Sequence, residues 1–221
     1  MPTRSNTLCS CNRLDAAAKD NSMPFEKFRQ QSDEEWLRTL VRSIHESIID
    51  GVEFPSFPGS SLQAMIVGSS GESALREAYN FYRVVKQDCQ AAGIDLTSAV
   101  VLDFGVGWGR FSRLFAREVD QERLFGVDVM ASMVEVCRVT KVPASISQIR
   151  PRGLLPFRDR LFDVVFAYSV FTHLPEDIHL HWLSELARVL KPGGVLVMTV
   201  EPRRFIEFCR GASETSDNAW H

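Results

Sequence analysis

The sequence lacks several features that would assign it to a specialised class of protein. None of its apolar runs reaches the roughly 18 residues that a membrane-spanning helix needs. Its first residues contain no apolar stretch of the kind found in secretory signals. The net charge is −3 at pH 7, so no excess of positive charge is present to attract nucleic acid or an anionic membrane. We therefore expect neither a membrane nor a nucleic acid as a partner.

Cysteine and histidine are too sparse to indicate a metal site. The five cysteines are scattered, and Cys9 and Cys11 have no second pair at the spacing of a zinc site. His179 and His181 are two positions apart on a predicted helix, so they face different ways. We predict free thiols, no bound metal and a cytoplasmic location, because a reducing compartment keeps thiols free.

The overall composition is that of an ordinary globular protein. The 221 residues are 45% hydrophobic and 24% charged, without internal repeats or low-complexity segments. This length suits one α/β domain with an extra helical segment, or a small two-domain protein. We expect a disordered or loosely attached N-terminus over residues 1–30 and a helical cap or lid over residues 31–95. An α/β domain over residues 96–210 and a flexible tail over residues 211–221 would follow.

The predicted cap begins with a clear helix signal. Ser32 and Glu35 have the spacing of a capping box, and apolar residues then recur at helical spacing from Trp36 to Ile49. This pattern predicts one amphipathic helix that Asp50-Gly51 ends.

A second helix is predicted in the cap from a similar pattern. Ser69 and Glu72 suggest another capping box, and an apolar stripe follows from Leu75 to Cys89. The segment could simply cover one face of a sheet, or it could form a lid that shapes a pocket, and both can be true. The aromatic residues considered for such a pocket are Phe54, Phe57, Tyr79 and Tyr82, with core packing favoured for the tyrosines.

From residue 99 the chain alternates between apolar strands and amphipathic helices. This alternation predicts a parallel sheet that helices cover on both faces, as in a Rossmann-like three-layer sandwich. The predicted strands are Ala99–Asp103, Leu124–Asp128, a weak strand within Ala144–Ile149, Phe162–Tyr168 and Val195–Val200.

A glycine-rich turn follows the first of these strands. The strand ends at Asp103, glycines stand at 105, 107 and 109, and a helical pattern begins directly afterwards. A turn without side chains before a helix can bring backbone N–H groups close to a ligand, although an ordinary tight turn would show a similar pattern. A dinucleotide-binding fingerprint would require glycine where Arg110 stands, which disfavours a nicotinamide-dependent oxidoreductase.

Asp128 is the second informative residue. It ends the second strand, and ligands of open parallel sheets bind beyond the carboxyl ends of the strands. A carboxylate there can accept hydrogen bonds from both hydroxyls of a ribose. The alternative is a solvated aspartate at a strand end or a cap for the next helix.

The D-x-G-x-G-x-G motif from Asp103 to Gly109 resembles the nucleotide-binding motif of the class I S-adenosylmethionine-dependent methyltransferases. The segments around Phe162–Pro175 and Leu190–Leu196 also look like this family, in the expected order, so that the resemblance covers about residues 99 to 200. It implies S-adenosyl-L-methionine as the cofactor. The implied cofactor-binding residues are Asp103, Phe104, Gly105, Val106, Gly107, Gly109, Asp128, Val129, Met130, Tyr168 and Ser169.

One part of the sequence departs from the family pattern. Relatives often carry an acidic residue after the third strand, where this chain has Arg150 and Arg152. These arginines either point outward or bind an anionic group of the substrate.

The reaction that the family performs requires few side chains. The methyl group is already activated, so the protein mainly aligns the acceptor and excludes water. A general base is needed only where the acceptor must lose a proton, and His173 is the candidate catalytic residue. A histidine at that place could equally cap the next helix or pack against the loop.

The resemblance also implies strands that the sequence does not supply after Val200. We expect a sheet of order 3-2-1-4-5 without the family's strands 6 and 7, a short helix over residues 201–210, and Val195–Val200 at an open edge. Either the chain is a fragment, or a partner or a second copy of the chain covers that edge.

Three functions follow from the sequence. The favoured one is S-adenosylmethionine-dependent methyl transfer to a small-molecule acceptor. The alternative is a catalytically incomplete relative that binds the cofactor or a partner, and an oxidoreductase comes third.

Overall fold

The computed structural model describes residues 24–201 of the chain. Two short 3₁₀ helices cover Glu26–Gln30 and Phe171–His173. In chain order the other elements are α1 (Asp33–Arg42), β1 (Ile48–Ile49), β2 (Val52–Glu53), α2 (Ser60–Val67), α3 (Gly71–Ala91), β3 (Val101–Phe104), α4 (Arg110–Phe115), β4 (Leu124–Asp128), α5 (Ala131–Val139), β5 (Ser145–Gln148), β6 (Phe162–Ala167), α6 (Glu176–Val189) and β7 (Leu190–Met198). None of the helices in this part of the chain is both long enough and apolar enough to cross a bilayer.

A five-stranded parallel sheet forms the centre of the molecule. Its order is β5-β4-β3-β6-β7, which is the predicted order 3-2-1-4-5 counted along these five strands. In register, Leu102 of β3 lies between Phe125 of β4 and Val165 of β6. The central strands are largely buried on both faces, as their mostly apolar sequences predict. The predicted fold class is confirmed.

Helices cover both faces of the sheet. On one face, α1, α3 and α4 share a single hydrophobic core with β3 and β6, which includes Trp36, Tyr82 and Phe115. On the other face, α6 contributes Trp182, Leu186 and Val189 to a second core. The helical N-terminal extension therefore packs directly against the sheet domain.

The first predicted helix is wrong at its C-terminal end. Helix α1 ends at Arg42, and Ile48–Ile49 form β1, which pairs with β2 in an antiparallel hairpin. Asp50 and Gly51 both have positive φ, 50° and 78°. Two such residues are typical of a tight hairpin turn, for which Asp-Gly is a preferred sequence. The isoleucine spacing fits a helix, but the turn and the β-branched side chains favour strands.

The predicted looseness of residues 1–30 is wrong for the part that the structure describes. Residues 26–30 form a 3₁₀ helix, and Phe25 and Phe28 are buried. The rings of both residues contact Trp36 and Phe54 at centroid distances of 5.1 to 6.0 Å. Burial of these two aromatic side chains attaches the segment to α1.

The first predicted capping box is confirmed and the second is wrong. Ser32 Oγ accepts a hydrogen bond from the backbone N–H of Glu35, whose carboxylate accepts one from the backbone N–H of Ser32. Helix α3 has Ser70 at its N-cap, and the Ser70 side chain makes no capping hydrogen bond.

The last strand is displaced from its predicted position. Strand β7 begins at Leu190, which pairs with Phe162, and its pairing with β6 is irregular before Val195. It ends at Met198 rather than Val200. The predicted helix over residues 201–210 and the tail over residues 211–221 lie outside the described residues, apart from Glu201 itself.

Candidate functional site

The glycine turn after β3 has a shape that only glycine permits. Gly105, Gly107 and Gly109 have φ values of 84°, 52° and 78°, which L-residues with a side chain rarely adopt. A Cβ at Gly105 would lie 2.3 Å from Cγ2 of Val170, and one at Gly109 would lie 2.7 Å from Cγ2 of Val142. The turn is therefore packed on two sides by neighbouring segments.

The Asp128 carboxylate lies against this turn. Its Oδ2 accepts a hydrogen bond from the backbone N–H of Gly107 at 2.9 Å, and its Oδ1 accepts one from the N–H of Met130 at 2.9 Å. Asp128 is 8% exposed. A carboxylate has about four lone-pair positions, so two remain for a ligand. The predicted meeting of Asp128 with the glycine turn is present in the structure.

A cavity of about 830 Å³ lies over the carboxyl ends of the strands. Of the residues predicted for the site, ten line it: Phe104, Gly105, Val106, Gly107, Asp128, Val129, Met130, Tyr168, Ser169 and His173. Further lining residues that the sequence did not indicate include Ile66, Glu77, Arg110, Ile149, Ile178 and Trp182.

Two of the predicted site residues do not line this cavity. Gly109 lies at the start of α4, packed against Val142. Asp103 is 1% exposed inside β3, and its carboxylate accepts a hydrogen bond from Ser112 Oγ at 3.0 Å. Burial, together with the nearby Asp128 carboxylate, raises the pKa of Asp103 to about 7, although the hydrogen bond from Ser112 opposes the shift. Asp103 thus links β3 to α4 beneath the site.

A buried arginine supports the turn from below. Arg113 is 1% exposed and donates hydrogen bonds to the carbonyl oxygens of Ser56, Trp108 and Gly109 and to the Thr140 hydroxyl, at 2.6 to 3.2 Å. Burial lowers the pKa of Arg113 to about 10. This residue joins the loop before α2 to the glycine turn. Its position in the apolar pattern of α4 gave no sign of this role.

Three polar side chains meet on the side of the cavity that faces the cap segment, those of Glu77, Arg110 and Tyr168. Tyr168 Oη donates to Glu77 Oε1 at 2.9 Å, and Arg110 Nη2 donates to the same oxygen at 3.3 Å. Burial raises the pKa of the Tyr168 hydroxyl, and so does the hydrogen bond to Glu77. The three residues come from α3, α4 and the end of β6.

Ser169 and His173 form the rim of the cavity after β6. Ser169 has a φ of 58° and donates its backbone N–H to Thr199 Oγ1 at 2.7 Å. Ser169 Oγ lies 3.4 Å from Nε2 of His173, whose side chain is exposed. A non-glycine residue with positive φ at a cavity is typical of a functional constraint on the backbone.

The remaining candidates lie away from the cavity. Arg150 is exposed, and Arg152 is ion-paired with Asp177, so both arginines point outward. Phe54, Tyr79 and Tyr82 belong to the hydrophobic core, and Phe57 packs against it.

The comparisons with known proteins agree in the family that they find. A family model described as a methyltransferase domain matches residues 102–198. A trans-aconitate 2-methyltransferase from an Azoarcus species is 34% identical over 110 residues, which are 50% of this chain and 42% of that protein. A demethylmenaquinone methyltransferase of Tropheryma whipplei is 34% identical over 121 residues, which are 53% of this chain and 48% of that protein.

A solved structure, that of the YcgJ protein of Bacillus subtilis, has a TM-score of 0.43 and 28% identity, over 53% of this chain and 50% of that one. The chain spans less than half the length of the curated relatives named above. Residues 102–198, which contain the glycine turn, Asp128 and Tyr168, therefore match a methyltransferase domain, and the predicted resemblance of this part of the chain to the class I S-adenosylmethionine-dependent methyltransferases is confirmed.

Proposed function

We propose that this protein transfers the methyl group of S-adenosyl-L-methionine to a small-molecule acceptor. The observation that carries the proposal is the meeting of Asp128 with the glycine turn on one wall of the cavity. The volume of about 830 Å³ is within the ordinary range for small-molecule sites, about 300–1,000 Å³. The names of the two relatives described above refer to small-molecule acceptors, which supports the same class for this chain.

The residues present fit this cofactor. Asp128 has two free lone-pair positions for the ribose hydroxyls. Beside it, Val129, Met130 and Ile149 offer apolar surface for an adenine ring. Gly107 leaves the wall of the cavity open, since a Cβ there would have only Ile66 within 4 Å, at 3.7 Å. The turn can therefore approach the methionine part of the cofactor closely.

When bound, the cofactor would supply a methyl group on a positively charged sulfur, which can pass to a nucleophile while S-adenosylhomocysteine leaves as a neutral thioether. The chain then has to position the acceptor and exclude water. Ile66 and Val67 of α2 line the cavity with apolar surface, and so do Leu174, Ile178 and Trp182. If the acceptor is a hydroxyl, we propose that His173 Nδ1 accepts its proton, while Nε2–H donates to Ser169 Oγ and orients the ring.

Calorimetric titration with S-adenosylhomocysteine, the product form of the cofactor, tests the binding part. We expect the wild-type chain to bind and Asp128→Ala to bind at least about 100-fold more weakly, since hydrogen bonds to a charged group contribute about 1.5–3 kcal/mol each. Asp163→Ala is the matched control, because Asp163 also accepts a backbone N–H, that of Val100 at 2.9 Å, but does not line the cavity.

Methyl transfer to a panel of metabolites then separates the enzyme from a relative that only binds. Product formed by the wild-type chain supports the proposal. Cofactor binding without transfer to any acceptor would favour the catalytically incomplete alternative, and unchanged binding by Asp128→Ala would contradict the assigned site.

A further inference from the structure

Arg110 places a buried positive charge in the wall of the cavity. The residue is 4% exposed and lines the cavity between two aromatic rings. Its guanidinium carbon lies 5.0 Å from the ring centroids of both Phe111 and Tyr168. Removal of a cation from water is costly unless hydrogen bonds and opposite charges compensate it. The partners of Arg110 therefore indicate whether its charge is already compensated.

The protein compensates this charge only in part. Arg110 Nη2 donates to Glu77 Oε1 and Nη1 donates to the carbonyl oxygen of Ala74, both at 3.3 Å. These distances exceed the 2.7–2.9 Å that is typical of charge-assisted hydrogen bonds. The same Glu77 oxygen also accepts the Tyr168 hydroxyl, and the Glu77 side chain is 39% exposed. A guanidinium has five N–H donors arranged as a fork, so further donors are present for a ligand.

The two other buried arginines of residues 24–201 make more hydrogen bonds, and most of these bonds are shorter. Arg117 is ion-paired with both Asp33 and Glu118 and donates to two backbone carbonyls. Arg113 donates to four neutral oxygens, the nearest at 2.6 Å. Arg110 is thus the buried arginine with the fewest and longest contacts, and of the three it alone lines the cavity.

We infer that Arg110 binds a carboxylate of the molecules that occupy this cavity. The inference rests on the proposed function, because the carboxylate belongs either to the acceptor or to the amino-acid end of the cofactor. A carboxylate matches the guanidinium fork and can form two parallel hydrogen bonds with it. Glu77 and Tyr168 act as positioning residues, which hold the fork against the cavity wall.

The place of Arg110 in the fold makes this a subsite separate from that of Asp128. Arg110 packs on Tyr168 at the end of β6, whereas Asp128 ends β4. Strand β3 lies between them, and adjacent strands are about 4.8 Å apart, so the two ends are about 10 Å apart. One bound molecule, or two neighbouring ones, can therefore contact both residues.

The first arm of the test concerns the cofactor. S-adenosylhomocysteine is titrated into the wild-type chain, Arg110→Met and Arg76→Met. Arg76 is the matched control, since it is an exposed arginine on α3 that is ion-paired with Glu72 and does not line the cavity. A loss of about 10-fold or more in Arg110→Met alone assigns the carboxylate to the cofactor.

The second arm concerns the acceptor. Phenylacetate and its neutral analogue phenylacetamide are titrated into the same three proteins, with and without saturating S-adenosylhomocysteine. Tighter binding of phenylacetate by about 10-fold, abolished in Arg110→Met and kept in Arg76→Met, assigns the carboxylate to the acceptor.

The inference is overturned if Arg110→Met changes neither titration. Arg110→Lys provides a second variant should Arg110→Met fail to fold, and it is expected to lose part of the affinity because a lysine lacks the fork. The two proposals can fail separately. A wild-type chain that does not bind S-adenosylhomocysteine contradicts the proposed function, whereas phenylacetate binding without that ligand still tests Arg110.

Discussion

At the scale of single residues, the glycine turn depends on positions where a side chain has no room. Gly105 combines a φ of 84° with the close approach of Val170. Gly51, in the hairpin, has a similar φ of 78°, but a Cβ added there would have nothing within 4 Å. A comparison of substitutions at Gly105 and Gly51 therefore separates the free-energy cost of the left-handed backbone from the cost of the steric clash with Val170.

We expect Gly105→Ala to destabilise the protein more than Gly51→Ala. A left-handed conformation costs an alanine about 1–2 kcal/mol at either site, and the collision at Gly105 adds to it because the branched Val170 side chain has little rotamer freedom. The measurement is the free energy of unfolding in urea. Equal losses in the two variants would contradict the packing of Val170 on the turn.

The buried carboxyl of Asp103 predicts a pH dependence of stability. Its pKa is about 7 in the folded chain and about 4 when unfolded, so between these values the folded state binds more protons. The contribution of this group to stability is therefore full below pH 4 and falls as the pH rises to about 7. The slope from one group is at most about 1.4 kcal/mol per pH unit.

The variant Asp103→Asn tests that assignment. We expect it to lose this part of the slope between pH 5 and pH 7, because its amide oxygen still accepts the Ser112 hydroxyl but does not titrate. Urea unfolding of both proteins at several pH values gives the comparison. An identical slope in both would show that other groups cause it.

At the scale of elements, the two serine N-caps of the helical segment, on α1 and α3, differ in their hydrogen bonds. Ser32 takes part in a complete capping box, whereas Ser70 makes no side-chain cap. Ser32→Ala should reduce the free energy of unfolding by about 0.5–2 kcal/mol, because the N–H of Glu35 loses its partner. Ser70→Ala is the control and should leave it nearly unchanged. Thermal or urea unfolding of both variants measures the difference, and equal effects would disprove the box.

Elements with one dominant signal were predictable, and elements with competing signals were not. Strands β3, β4 and β6 are mostly apolar, so their order along the chain could be predicted, whereas β5 is mostly polar and was predicted only as a weak strand. Ile48 and Ile49 fit the helical period of the preceding residues, but the Asp-Gly turn after them forms a hairpin. Whether these residues continue the helix or form a hairpin depends on which of the two conformations packs against the core with the lower free energy. Hydrophobic periodicity does not measure that difference.

The residues of the candidate site also fall into two groups, those that the sequence predicted and those that it did not. Gly105, Gly107 and Asp128 belong to local patterns at strand ends, where the topology of a parallel sheet brings them together. Glu77 and Arg110 meet only through the packing of α3 on α4, for which the sequence has no local pattern. The predicted partner along Val195–Val200, whether a second copy or another protein, stays a prediction.

At the scale of the whole molecule, the helical segment and the sheet share one core. Trp36 of α1 is fully buried and donates its indole N–H to the carbonyl of Leu114 at 2.8 Å. Arg117, after α4, joins Asp33 of α1 and Tyr82 of α3. Separation of the helical segment from the sheet would therefore break buried hydrogen bonds and expose part of the shared core.

We therefore expect residues 31–95 to unfold together with the sheet in one transition. Circular dichroism at far-ultraviolet wavelengths and tryptophan fluorescence should give the same urea midpoint, as in a two-state system. Hydrogen exchange provides the second measurement, and amides in the middle of α3 should be protected as strongly as those of β3. Exchange of α3 well ahead of the sheet would indicate an independent lid.

The partners of Arg113 have a consequence for how this fold can be recognised in other sequences. Three of its four hydrogen bonds end on main-chain oxygens, which every amino acid provides. A substitution at position 56 or 108 leaves such an oxygen in place, so no compensating change at Arg113 would be needed. Paired changes in aligned sequences would therefore not reveal this connection, and only coordinates would.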